Sequence, residues 1–200
     1  RHGQSLWNAE NRFTGWVDSP LSKHGTQEAI KAGKLIKEFD LDVQIAFTSF
    51  LSRAIDTLNI LLRELNKSNL IVNKTWYLNE RHYGSLTGLN KEETKQKIGE
   101  SLFLKYRRSW DIAPPRMEKN DKNISLFGSL NKTIPGDKVP NTESLKDTYD
   151  RVIKYYNETI SNVFKNNVIL IVAHGNSLRA LCKYLFKISD KDINLSLIHI

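Results

Sequence analysis

The 200-residue sequence predicts an α/β layered domain, and three observations carry that prediction. Helical stretches with one apolar stripe alternate with short apolar runs along the chain. The run Val168–Ala173 is almost purely β-forming and reads as a strand buried on both faces of a parallel sheet. No apolar run approaches the length of a membrane-spanning helix. Two hundred residues suffice for one such domain and leave little room for a second. The 40% hydrophobic and 26% charged residues are spread along the whole chain, which is a globular rather than a disordered composition, and there is no internal repeat.

Each element has its own signal. Residues 1–21, rich in Gly, Asn and Ser, read as a functional loop. Ala29, Ala32, Ile36 and Phe39 recur at steps of three and four and predict a helix from Ser22 to Phe39. Val43–Thr48 suits a short buried strand. A second helix, about 51–65, turns Ala54, Leu58, Leu61, Leu62 and Leu65 to the core, and Leu70-Ile71-Val72 is the next strand. Leu78 to Leu89 has no period. Asn90 then caps a short helix, with Glu93 placed to complete a capping box. Residues 111–141 hold Pro114, Pro115, Pro135, Gly136 and Pro140 without a sustained period, and a loop that long is a lid or binding element. The longest helix opens at Thr142 or Ser144 and is carried by Leu145, Tyr149, Val152, Tyr156, Ile160 and Val163. Asn166-Asn167 turns the chain into the strand that ends at His174-Gly175-Asn176, and a last helix covers Ser177 to Phe186.

The formal net charge of +8 attracts anions of every kind. The lysines are scattered, no basic run reaches five, and aromatic–basic stacking patterns are missing, so small anionic substrates fit better than nucleic acid. The single cysteine, Cys182, excludes a disulfide within the chain and points to a reducing compartment, the cytoplasm. In its apolar surroundings Cys182 reads as a small core residue rather than a nucleophile.

In open α/β sheets, ligands bind beyond the carboxyl ends of the strands. His174 sits at such an end, beside Gly175 and directly before a helix whose N-terminal N–H groups suit an anion. The alternative for His174 is a histidine that only hydrogen-bonds within the turn. Arg1-His2-Gly3 has the same character. A neutral imidazole attacks phosphorus competently, and a phosphoryl group in transfer spreads its charge over three oxygens that arginine forks complement. Arg53 follows the Val43–Thr48 strand. On the first turn of a helix it opposes the dipole, which favours a functional over a surface role. Glu80, taken alone, is either an ordinary loop acid or a catalytic one.

Taken together, Arg1-His2-Gly3-Gln4-Ser5-Leu6-Trp7-Asn8, the block Asn11-Arg12-Phe13-Thr14-Gly15-Trp16 and Ser52-Arg53-Ala54 form a recognisable series. It continues with Asn79-Glu80-Arg81-His82-Tyr83-Gly84, Gly88-Leu89-Asn90-Lys91, Tyr106-Arg107-Arg108-Ser109 and Ala173-His174-Gly175-Asn176-Ser177-Leu178-Arg179. In that order, over essentially the whole chain, the sequence resembles the cofactor-dependent phosphoglycerate mutases of the histidine phosphatase superfamily. The resemblance implies one domain over residues 1–200: a three-layer sandwich with a mostly parallel central sheet flanked by helices, and a lid-like insert at about 78–141. It implies that His2 is the phosphorylated nucleophile, that Glu80 is the general acid/base, and that His174, Arg1 and Arg53 stabilise the transition state. Ser5, Asn8, Thr14, Gly15, Arg81, His82, Gly175 and Asn176 fall at or beside its substrate-binding positions, His82 in a supporting place. Tyr83, Lys91, Arg107 and Arg108 match the lid residues that hold the substrate's carboxylate and far phosphate.

The implied reaction interconverts 3-phosphoglycerate and 2-phosphoglycerate, with 2,3-bisphosphoglycerate as the cofactor that primes His2. No metal is expected, because there is no HExxH or carboxylate cluster and arginines neutralise the charge. The expected partners are small phosphoglycerates and further copies of the chain in a homodimer or homotetramer, with neither nucleic acid nor membrane. The rivals are a bisphosphoglycerate mutase, disfavoured by Ser5 and Thr14-Gly15, and a plain histidine phosphatase, disfavoured by the lid blocks. The family's first strand, ahead of Arg1, and its C-terminal tail, past Ile200, are missing from this sequence, which reads as trimmed, with low turnover expected. His24 is expected to be exposed, and His199 is left without a role.

Overall fold

The computed structural model describes residues 1–118, 121, 125, 127 and 134–194. Three parallel strands organise them: β1 (Val43–Thr48), β2 (Ile71–Lys74) and β3 (Val168–Val172), in the spatial order β2-β1-β3. Ile45 stands opposite Ile71 on one side and Ile169 on the other, and Thr48 opposite Lys74 and Val172. Side chains alternate across a strand, so each strand feeds two cores. Ala46, Leu170 and Val172 meet Leu58, Leu61 and Leu62 of helix α3 (Ser52–Glu64) together with Ala32 and Ile36 of α2 (Lys23–Glu38). Ile45, Phe47, Ile169 and Ile171 face the opposite way. They pack on Val152 and Ile153 of α6 (Leu145–Tyr155) and on Ala180 and Leu181 of α8 (Gly175–Leu185). The result is the expected α/β arrangement of helix, sheet and helix layers. Burying a leucine as fully as Leu58 stabilises the fold by about 1.5–3 kcal/mol.

The differences from the sequence reading are local. Residues 1–21 contain a short helix, α1 (Leu6–Ala9), capped by Ser5 and Asn8 in a reciprocal box. After α4 (Lys91–Ile98), Gly99, at φ 81°, ends the helix and a further one, α5 (Glu100–Arg108), follows. Its pattern was obscure because Leu102 and Leu104 are exposed and Phe103 alone is buried. Asn90 Oδ1 caps α4 by accepting from the N–H groups of Glu92 and Glu93. The long helix is interrupted by a wide π-helical turn, Tyr156–Ile160, before its last turn α7 (Ser161–Phe164). β3 has helices on both faces, as expected, but it is less buried than expected: Val168 is exposed and Ile169–Ile171 are only half-buried, because among the described residues β3 pairs with β1 alone. Helix α8 begins at Gly175, two residues ahead of expectation, with His174 at its N-cap. Of the span 111–141, the ends 111–118 and 134–141 carry one 3₁₀ turn, Gly136–Lys138, and His199 lies outside the described residues. No described helix is long and apolar enough to cross a membrane.

Candidate active site

The carboxyl ends of β1 and β3 and the first residues of the chain converge. His2 N–H donates to Ala173 O, 3.0 Å away, just past the end of β3. Gly3 then lies directly on the first turn of α2, where a Cβ would stand 2.2 Å from Gly25 O. Glycine is needed for that approach. Gly3 N–H is held by Thr57 Oγ1 (3.1 Å), whose hydroxyl donates to Arg53 O (2.7 Å), so the loop is tied to α3 as well.

These ties orient His2. Its Nδ1 lies 2.6 Å from Gly3 O and donates to it, which leaves the lone pair on Nε2. Arg53 Nε points at that lone pair from 3.4 Å. Burial first, and the Arg53 charge second, lower the His2 pKa well below its ordinary value, so the ring is neutral and nucleophilic at neutral pH.

Arg53 is 1% exposed. Nη1 donates to Val17 O (2.8 Å) and Nη2 to Gly15 O (2.7 Å). Gly15, at φ 54°, adopts the left-handed conformation that places this carbonyl. Burial pulls the Arg53 pKa down to about 10, which leaves it a cation at neutral pH. His174 is fully buried behind His2, with the ring centroids 4.8 Å apart and the rings edge-on. Its Nε2 is hydrogen-bonded to Ser49 Oγ at 2.7 Å. Burial, then the charge of Arg53, hold it neutral.

Glu80 enters from the irregular segment after β2. Its Oε1 accepts from Arg81 N–H (2.8 Å) and from Asn176 N–H (3.1 Å) in the first turn of α8. The start of α8 therefore helps hold this carboxylate in place. Asn176 Nδ2 donates to Tyr83 Oη (3.2 Å). These groups surround a cavity of about 300 Å³ lined by Arg1, Arg12, Arg53, Lys91, Arg107, Arg108 and Arg179 against one carboxylate, Glu80. The cations crowd one another. Burial, then Arg107, depress the Lys91 pKa to about 8, and burial, then Arg107 and Arg179, lower that of Arg108.

Of the expected site residues, Arg1, His2, Asn8, Thr14, Gly15, Arg53, Glu80, Tyr83, Lys91, Arg107, Arg108, Gly175 and Asn176 line the cavity together. His174 stands behind it. Ser5, Arg81 and His82 do not line it either. Ser5 is buried as the cap of α1. Arg81 Nη2 donates to the carbonyls of Tyr106 and Arg107, both at 3.2 Å, and so fixes the end of α5. His82 accepts from Gly84 N–H (3.0 Å), stacks on Phe127, and is driven by burial to a pKa of about 4.

Two lining residues were missed, Arg12 and Arg179. Arg179 shares a face of α8 with Asn176, three residues earlier, which is the signal that could have found it. It is 8% exposed, and its one hydrogen bond to a described residue runs to Asn176 Oδ1 at 3.4 Å. Its Nε and the hydroxyl of Thr14 are buried without a partner among the described residues. Oxygen atoms of an anionic ligand would satisfy both. Among the described residues no group of three or more His, Cys, Asp or Glu could hold a metal ion.

The model of the histidine phosphatase superfamily (branch 1) matches residues 1–125 and 125–198. A 2,3-bisphosphoglycerate-dependent phosphoglycerate mutase from Pelagibacter ubique (strain HTCC1062) is 52% identical over 196 residues, 98% of this chain and 82% of its own length. A phosphoglycerate mutase from Bacillus anthracis str. Sterne superposes with a TM-score of 0.68 at 22% identity, over 94% of this chain and 78% of its own. A mycobacterial glucosyl-3-phosphoglycerate phosphatase superposes at 0.72 with 22% identity, over 98% and 81%. At such identities the two structures share the fold alone. The motifs around the cavity, and the 52% identical relative, carry the finer likeness.

Proposed function

We infer the activity from two premises: the chain belongs to the histidine phosphatase superfamily, among the 2,3-bisphosphoglycerate-dependent phosphoglycerate mutases, and its cavity sets seven cationic side chains around His2 and Glu80. The reaction is the interconversion of 3-phosphoglycerate and 2-phosphoglycerate through a phosphohistidine at His2. The observation that carries this is the neutral His2 imidazole. Its free Nε2 faces Arg53 at the base of a cavity with seven cationic side chains and one carboxylate. When bound, 2,3-bisphosphoglycerate would supply the phosphoryl group that first loads His2; Thr14 Oγ1 and Arg179 Nε, buried without a partner among the described residues, and the surplus of cations fit so highly charged a ligand.

In the working cycle Glu80 takes the proton of the substrate hydroxyl as its oxygen bonds to phosphorus and the phosphorus–Nε2 bond breaks. The freed Nε2 then attacks the other phosphoryl group. Glu80 returns its proton to the oxygen that this group leaves, so protons balance over the cycle. Arg1, Arg53 and the N–H groups at the start of α8 offset charge on the oxygens in transfer. His174 is held neutral by burial and by Arg53, and a phosphoryl group on His2 acts in the opposite sense, favouring its protonated form. Tyr83, Lys91, Arg107 and Arg108, joined by Arg12 and Arg179, hold the carboxylate and the phosphate not in transfer. With this reading go a homodimer or homotetramer, no required metal, and a cytoplasmic setting without nucleic acid or membrane; the 52% identical relative supports the reaction itself.

The test is an assay of 3-phosphoglycerate conversion with and without added bisphosphoglycerate, followed by labelling with bisphosphoglycerate carrying radioactive phosphate. Conversion should depend on the bisphosphate, and acid-labile label should be lost in His2→Ala. Conversion indifferent to the bisphosphate, or label retained by the variant, contradicts the proposal.

A further inference from the structure

Behind the cavity, a buried ion pair grips the segment that carries Glu80. Glu143 immediately precedes the cap of α6, and Arg151 reaches back to it from two turns along that helix. Their side chains are 4% and 9% exposed. Arg151 Nε donates to Glu143 Oε1 (2.6 Å) and Nη2 to Glu143 Oε2 (3.0 Å). Its other bonds go to main chain: Nη1 to Tyr77 O (2.5 Å), and Nη2 to Asn79 O and Glu80 O (both 3.0 Å). Glu143 completes the grip, since its Oε2 accepts from His82 N–H (2.8 Å) and its own N–H donates to His82 O (2.9 Å). The pair therefore holds main-chain groups from residue 77 to residue 82.

One peptide in that stretch matters for the chemistry. The peptide joining Glu80 to Arg81 has its carbonyl bound by Arg151, and its N–H donates to Glu80 Oε1 at 2.8 Å. In a trans peptide the C=O and N–H point in opposite directions within one rigid plane. Pinning the oxygen from behind therefore aims the N–H forward at the carboxylate. A buried ion pair is expensive to desolvate, and apolar side chains of similar volume often stabilise a fold as well, so stability alone does not account for it. We propose that Arg151 and Glu143 are positioning residues for the acid/base: through the Glu80–Arg81 peptide they fix where the Glu80 carboxylate points. The sequence reading assigned neither residue a role. The inference rests on Glu80 being the acid/base.

The experiment compares Arg151→Lys, which keeps the charge and loses the fork, and Glu143→Gln, each alone and combined with Glu80→Gln. Thermal unfolding selects the variants that fold. In a folded variant kcat should fall at least tenfold with KM within threefold. In the Glu80→Gln background the same change should cost less than a further twofold, because the group it acts through is gone. Equal losses in both backgrounds, a folded variant with unaltered kcat, or a change confined to KM, overturn the proposal. Should Arg151→Lys fail to fold, Glu143→Gln is judged by the same criteria. If Glu80→Gln alone keeps normal turnover, the assignment of the acid/base is at fault, which that single variant shows by itself.

Discussion

His2, Arg53 and Glu80 at the base of the cavity are each tied to main-chain groups, whereas Lys91, Arg107 and Arg108 on α4 and α5 have no carboxylate within salt-bridge distance among the described residues. The base is held by carbonyls and N–H groups whose positions the sheet and α3 dictate. The rim is held by little more than aromatic contacts, Lys91 near Phe13 and Arg107 near Phe103. The difference follows from what each part handles. The phosphoryl group in transfer is the same in every step and rewards donors fixed in advance. The remainder of the substrate differs between the two isomers, and a surplus of cations attracts it without imposing one geometry. Preorganisation and adaptability are thus placed in separate parts of one cavity.

The largest effect that would sharpen this contrast is at Arg53. Arg53→Lys keeps the charge and loses the fork that joins Gly15 and Val17 to His2, so kcat should fall by roughly 10²–10³. Steady-state kinetics decide it, and a change confined to KM would mean that the base is as adaptable as the rim.

A second effect concerns protons at the base. His2, His82 and His174 are buried neutral, with pKa values below those of the unfolded chain, that of His82 from 6.5 to about 4. Groups shifted down contribute stability that is complete above the unfolded pKa and is lost as pH falls towards the folded one. Between pH ~6.5 and ~4 the fold should lose on the order of a few kcal/mol, read by denaturant unfolding at several pH values. Imidazole NMR resonances of these three that titrate near pH 6.5 in the folded protein would contradict it.

The smallest effect belongs to the rim. Burial and then Arg107 bring the Lys91 pKa to about 8, so raising the pH from ~7 to ~9 discharges it. KM for 3-phosphoglycerate should rise several-fold over that range, and Lys91→Arg, which stays charged, should abolish the rise. A rise that persists in Lys91→Arg would move it to another group.

Much of this was legible in the residues, for reasons that differ by region. β1 and α3 announce themselves because their apolar side chains repeat at the period of a buried element. α5 does not, since two of its leucines face outward, and the π-helical turn at Tyr156–Ile160 leaves no mark on the pattern. The cavity residues could be listed from their motifs, but Ser5, Arg81 and His82 share those motifs while serving behind the cavity. Arg179, counted within a motif, was not singled out, although its place three residues after Asn176 puts the two on one face of α8.

The sequence by itself determined the layered α/β class, the cationic character and the set of chemically competent groups, because periodicity, composition and residue type are local properties of the chain. Tertiary structure alone decided which nitrogen of His2 is free, that Arg53 is buried rather than on the surface, and that a distant Glu143–Arg151 pair sets the peptide beneath Glu80. These depend on where main-chain groups far apart in sequence come to lie, and only the folded sheet and helices bring them within hydrogen-bond reach.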